Sequence, residues 1–98
     1  MNQAESVTKR AHIFIEGKVQ GVGFRYFVRT NASDMNLKGW VKNLSDGRVE
    51  AVFEGPKAKV MSMVEKCQKG PRAGRVDNID LKWEKAGDNL DSFNVKYI

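Results

Sequence analysis

The period of the hydrophobic pattern changes along this chain, and the order of the changes constrains the fold more than any other feature. Ala11, Ile13 and Ile15 alternate with His12, Phe14 and Glu16, as in a strand with one buried face. Phe24, Phe27, Val28, Ala32 and Met35 then recur at helical spacing, and Asn36 supplies a left-handed stop. Leu37, Gly39 and Val41 return to alternation, against Lys38, Trp40 and Lys42. Ser45-Asp46-Gly47 has the chemistry of a hairpin turn. Beyond it Val49, Ala51 and Phe53 face inward, and Arg48, Glu50, Val52 and Glu54 outward. Gly55-Pro56 opens a second helix, with Pro56 in its first turn. Val60, Met63, Val64 and Cys67 line that helix's buried face, and Gly70 ends it. Pro71 to Gly74 form a basic loop, after which Ile79, Leu81 and Trp83 alternate in a fourth strand. Gly87-Asp88-Asn89 breaks the chain, and Phe93, Val95 and Tyr97 alternate in a short last strand.

Strand, helix, strand, strand, helix, strand, with one strand added, predicts an α+β domain of the ferredoxin-like βαββαβ kind. Its sheet is expected to be mostly antiparallel, with two helices on one face and an extra C-terminal strand. The domain is expected over 10–98, and Met1 to Lys9, which lacks periodicity, as a flexible N-terminus. A chain of 98 residues supports one core and needs no disulfide or metal to do so. The 41% hydrophobic content is too high for a disordered chain. Cys67 is alone, which excludes an internal disulfide and a Cys-rich zinc site and suits a reducing compartment. No apolar run approaches the roughly 20 residues that cross a bilayer, and the first residues lack the apolar core of a signal peptide. The expectation is a cytoplasmic monomer without membrane attachment. A net charge of +5 favours an anionic partner.

A helix joining the first two strands sets them parallel through a right-handed crossover, so their C-terminal ends meet at one edge of the sheet. The segment Gln20-Gly21-Val22-Gly23-Phe24-Arg25 leaves one of those ends, and Asn43 lies at the other. A helix start offers free N–H groups and a positive dipole end to an anion. Gly21 and Gly23 let the backbone curl, and Arg25 would add a two-pronged fork to phosphate oxygens. A Gly-x-Gly before a helix also fits a plain tight turn, and an Asn before a hairpin also fits an ordinary turn residue. The segment is neither a Walker loop nor a dinucleotide fingerprint. His12 reads as a sheet-face histidine and Cys67 as core. No His, Cys, Asp and Glu cluster has metal-ligand spacing. An enzyme built this way would work by positioning and electrostatics, with no cofactor, metal or covalent intermediate.

The run Ile15-Glu16-Gly17-Lys18-Val19-Gln20-Gly21-Val22-Gly23-Phe24-Arg25 closely resembles the first signature of the acylphosphatases. Gly39-Trp40-Val41-Lys42-Asn43, followed by Gly47, Val49 and Gly55, resembles their second. The resemblance covers about Ala11 to Ile98, and the family's fold agrees with the order of elements read above. It implies that Gln20, Gly21, Val22, Gly23, Phe24 and Arg25 cradle a phosphoryl group through backbone amides. It implies further that Arg25 is the phosphate-binding catalytic arginine and that Asn43 orients the attacking water. The implied substrates are acyl phosphates, cleaved to a carboxylate and inorganic phosphate. A carboxylate leaves readily, so such a reaction needs no general acid, and in-line phosphoryl transfer mostly needs alignment and charge neutralisation.

The main rival is an RNA-recognition module, which shares the βαββαβ order and carries aromatics on its open sheet face. Ile13-Phe14-Ile15 fits it, but Glu50 and Glu54 facing outward would repel a phosphate backbone, so no nucleic acid is expected. Acylphosphatase-like domains also occur within a large hydrogenase-maturation protein; the length of this chain favours the stand-alone enzyme. Lys57, Lys59, Lys66 and Lys69 read as solvated surface, whereas Lys18, Arg29 and Lys42 lie near enough to the proposed edge to steer an anion.

Overall fold

The computed structural model describes residues 7–97. Seven elements follow one another: β1 (Thr8–Lys18), α1 (Phe24–Asp34), β2 (Lys38–Asn43), β3 (Val49–Pro56), α2 (Lys57–Lys69), β4 (Arg75–Glu84) and β5 (Phe93–Lys96). The strands form one sheet in the order β4-β1-β3-β2-β5. β3 is antiparallel to both β1 and β2, which leaves β1 and β2 parallel across it, as the crossover requires. β4 is antiparallel to β1, and β5 is parallel to β2.

The helices cover one face of the sheet because their apolar stripes have nowhere else to go. Phe24, Val28 and Ala32 of α1 and Val60, Met63 and Cys67 of α2 are buried against Ile13, Ile15, Val41, Ala51 and Phe53. Both helix stops are as the sequence predicts. Asn36 takes φ 58° and lets the Leu37 N–H reach back to the Ala32 carbonyl at 3.0 Å. Gly70 takes φ 66° while its N–H bonds the Lys66 carbonyl at 2.9 Å.

Four details depart from the sequence reading. Thr8 and Lys9 belong to β1, paired with Pro56 and Gly55, so the first strand begins within the segment expected to be a loose terminus. Both side chains are exposed, which hides the strand from any hydrophobic pattern. The remainder of that terminus, 1–6, lies outside the described residues. Pro56 closes β3 and stands just before α2 rather than inside its first turn; its φ of −56° suits both neighbours. Trp83 and Tyr97 are 46% and 77% exposed, because β4 and β5 form the edges of the sheet, where an inward register no longer guarantees cover.

The fourth departure concerns the face away from the helices. Glu54 points outward by register yet is only 3% exposed. The Arg10 Nε donates to its carboxylate at 2.7 Å, and the Gly87 N–H, from the β4–β5 connection, adds a contact at 3.3 Å. His12 stands between two carboxylates, its ring nitrogens each 2.6 Å from Glu50 and Glu84. Glu50, Glu54 and Glu84 are therefore engaged by cations and a histidine rather than bared to repel a polyanion. The aromatic rings are engaged as well. Arg48 sits 4.9 Å over Phe14, whose ring stacks on His12, and Lys96 sits 4.4 Å over Trp40. A nucleobase would have to displace those partners before it could stack.

Candidate active site

The end of β1 and the start of α1 are joined by a loop whose conformation only glycine adopts without strain. Gly21 and Gly23 have φ of 73° and 78°, while nothing lies within 4 Å of a Cβ added to either. The requirement is thus conformational and not a matter of space. The first intrahelical bond runs from the Phe27 N–H to the Gly23 carbonyl at 3.0 Å. The N–H groups of Phe24, Arg25 and Tyr26 consequently have no acceptor within the helix. No side chain caps them, and no acidic residue stands in the first turn. This helix start presents donors and an uncompensated dipole end. The Phe24 side chain is buried at 1% exposure, edge-on to Phe27, and anchors the turn to the core.

Gln20 ties this loop to the β2–β3 hairpin. Its Nε2 donates to the Leu44 carbonyl at 2.7 Å and to the Arg48 carbonyl at 2.9 Å. Across the turn, the Arg48 guanidinium and N–H both bond Asp46 and hold its carboxyl below the usual carboxylate range. The hairpin that carries Asn43 is therefore fixed from within and from the loop. Asn43 ends β2, and its Oδ1 is buried with no hydrogen-bond partner among the described residues.

Both elements open on a cleft of about 490 Å³, lined by Gly21, Gly23, Phe24, Arg25 and Asn43 of the expected set. Gln20 and Val22 are not on its wall; Gln20 acts on the hairpin, and Val22 packs against the core. Sequence reasoning missed the far wall. Lys42 pairs with Lys96 in the parallel β2–β5 ladder, so the residues one step on, Asn43 and Tyr97, come side by side. Tyr97 places its ring 4.8 Å under the Arg25 guanidinium. Tyr26 does the same for Arg29 at 5.3 Å. The cleft wall carries two arginines and no carboxylate. Cys67 takes no part: it lies in the core on α2, where burial pushes its thiol up to about 12. Among the described residues no group of three or more His, Cys, Asp and Glu side chains is gathered as metal ligands would be. No helix there is long and apolar enough to cross a membrane.

Fold and cleft together define a small α+β domain whose cleft, at the meeting of strand ends and an uncapped helix start, carries two arginines and no carboxylate. The acylphosphatase family model matches residues 11–95. The chain is 49% identical over 86 residues to an acylphosphatase from a Roseiflexus species, an alignment covering 88% of this chain and 92% of that one. A crystal structure of acylphosphatase from Bacillus subtilis superposes with a TM-score of 0.87 at 39% identity, covering 91% of this chain and 99% of that one. HypF from T. kodakarensis contains a similar fold, with a TM-score of 0.81 at 37% identity; the match covers 92% of this chain but 12% of HypF. The chain belongs to the acylphosphatase family, and its fold is the family's.

Proposed function

We propose that the cleft at the start of α1 is where this chain hydrolyses acyl phosphates, with Arg25 and Asn43 as the catalytic residues. The observation that carries this reading is the Asn43 Oδ1. A buried amide oxygen without a partner costs about 1–3 kcal/mol, and on the wall of an anion-receiving cleft that cost is offset when a water donates to it. The free N–H groups at the start of α1 receive the phosphoryl oxygens, and Arg25 closes on them with its fork. The water held by Asn43 attacks phosphorus in line with the carboxyl oxygen. The new oxygen–phosphorus bond forms as the anhydride bond breaks. The electron pair leaves with the carboxylate, and the water's proton passes to a phosphoryl oxygen. The products are a carboxylate and inorganic phosphate, and no side chain changes its protonation state.

The same reading makes the body that begins with β1 at Thr8 the catalytic domain, acting as a monomer in the cytoplasm, in keeping with a lone, buried thiol. The test is benzoyl phosphate hydrolysis with a chelator present. Arg25→Ala is expected to lose about a thousandfold in kcat with the fold intact. Asn43→Ala is expected to lose about a hundredfold in kcat while inorganic phosphate still inhibits. Turnover close to wild type in a folded Arg25→Ala protein would remove the assignment.

A further inference from the structure

We infer that Arg29 forms a second anion subsite in the cleft. It would select acyl phosphates whose acyl group carries its own carboxylate or phosphate a few bonds from the scissile anhydride. The subsite presupposes the acyl phosphate chemistry proposed above.

Arg29 follows Arg25 by four residues, so the two guanidinium groups project from one face of α1, and both line the cleft. One helical turn sets their Cα atoms about 6 Å apart along the axis. The unpaired N–H groups end at Tyr26, so a phosphoryl group seated on them and on Arg25 leaves Arg29 beyond its edge. A four-carbon diacid bearing one acyl phosphate would span about that interval. Arg29 is also prepared for a partner it lacks. Arg10, Arg48 and Arg75 each hold a carboxylate, whereas among the described residues Arg29 has none within ion-pair distance. Its contact with Tyr26 uses the face of the guanidinium and steadies the side chain. The N–H donors lie in the plane of the group and stay available. With no carboxylate on the wall, nothing opposes a second negative charge there.

The experiment compares kcat/KM for butyryl phosphate, succinyl phosphate and 3-phosphonooxypropionyl phosphate in wild type, Arg29→Gln and Arg29→Lys, at one ionic strength. Wild type is expected to favour at least one charged acyl group over butyryl by about tenfold, as a charge-assisted hydrogen bond allows. The succinyl and phosphonooxy arms tell which anion fits. Arg29→Gln is expected to bring the ratio near one, with the loss in KM, and Arg29→Lys to keep part of it. A wild-type ratio near one overturns the subsite, and so does a preference that survives Arg29→Gln. An equal loss on all three substrates overturns it too, since Arg29 would then sit on the transferred phosphoryl group. Failure to hydrolyse any of the three, butyryl phosphate included, instead overturns the acyl phosphate reading itself.

Discussion

The guanidinium of Arg25 lies 4.8 Å above the Tyr97 ring, so the arginine at the helix start is steadied by the residue that follows the last strand of the sheet. Stacking holds the plane of the fork and leaves its donors free. An exposed cation–π contact contributes about 0.5–1 kcal/mol. Tyr97→Ala is therefore expected to lower kcat/KM on benzoyl phosphate about fivefold, and Tyr97→Phe to retain nearly all of it, because the ring and not the hydroxyl is in use. Steady-state kinetics on the two variants decide the matter. Equal activity in all three proteins would show that the ring does nothing for Arg25.

Gln20 makes a different kind of connection. Its amide supplies both N–H donors to carbonyls of the hairpin that positions Asn43. Gln20→Ala strips both carbonyls of that donor and is expected to cost about 2 kcal/mol of stability. It should also lower kcat, since loop and hairpin lose their common register. Gln20→Glu is expected to be worse than Ala, as a carboxylate cannot donate to either carbonyl and brings negative charge to an anion site. Urea denaturation and turnover measured side by side check both effects. A Glu variant more active than the Ala variant would contradict them.

The two halves of the cleft were legible in the sequence to different degrees. The helix-start half is contiguous, and Gly21 and Gly23 announce its left-handed backbone, but a Gly-x-Gly before a helix equally fits a plain turn, so its expected role came from the family resemblance rather than from local chemistry. Asn43 needed one topological step, the parallel crossover, which has only one usual hand. Tyr97 needed the parallel pairing of β5 with β2, and nothing in the 87–92 connection encodes that register. Glu54 misled for a related reason. Alternation places it outward correctly, but its burial comes from Arg10 on a neighbouring strand and from a connection folding over it, contacts without a sequence period. The rings of Tyr26 and Tyr97 were equally silent, because an exposed tyrosine marks a site only once an arginine is seen above it.

Cys67 links pH to stability. Burial raises its thiol from 9.0 to about 12, so between those values the folded chain keeps a proton that the unfolded chain releases. The unfolded state then binds fewer protons, and stability falls as pH rises, by up to about 1.4 kcal/mol per pH unit from this group. The contribution is fully present below pH 9. Cys67→Ala leaves a small cavity and is less stable at pH 8, but it lacks this dependence. The gap between the two proteins is expected to narrow from pH 9 to pH 10.5 in chemical denaturation. A gap that stays constant or widens would show that the thiol does not titrate as its burial requires. Disulfide-forming reagents at pH 8 should likewise label only the unfolded chain.

The Arg10–Glu54 pair is where removing one partner and removing both should differ most. The two side chains are 14% and 4% exposed, and their contact is 2.7 Å. Taking a charge out of water is costly, and a single well-placed partner offsets that cost without a large surplus. Arg10→Met leaves the Glu54 carboxylate buried with one weak donor, the Gly87 N–H, and is expected to destabilise by about 3 kcal/mol or more. Glu54→Leu should cost less, since Arg10 still reaches the Asn89 side chain at 2.7 Å and is nearer to solvent. The double variant, apolar on both sides, is expected to recover most of the loss of Arg10→Met. A double-mutant cycle by urea denaturation measures this directly. Losses that simply add would mean that the two charges are hydrated separately and that the face away from the helices is held by its aromatic and strand contacts alone.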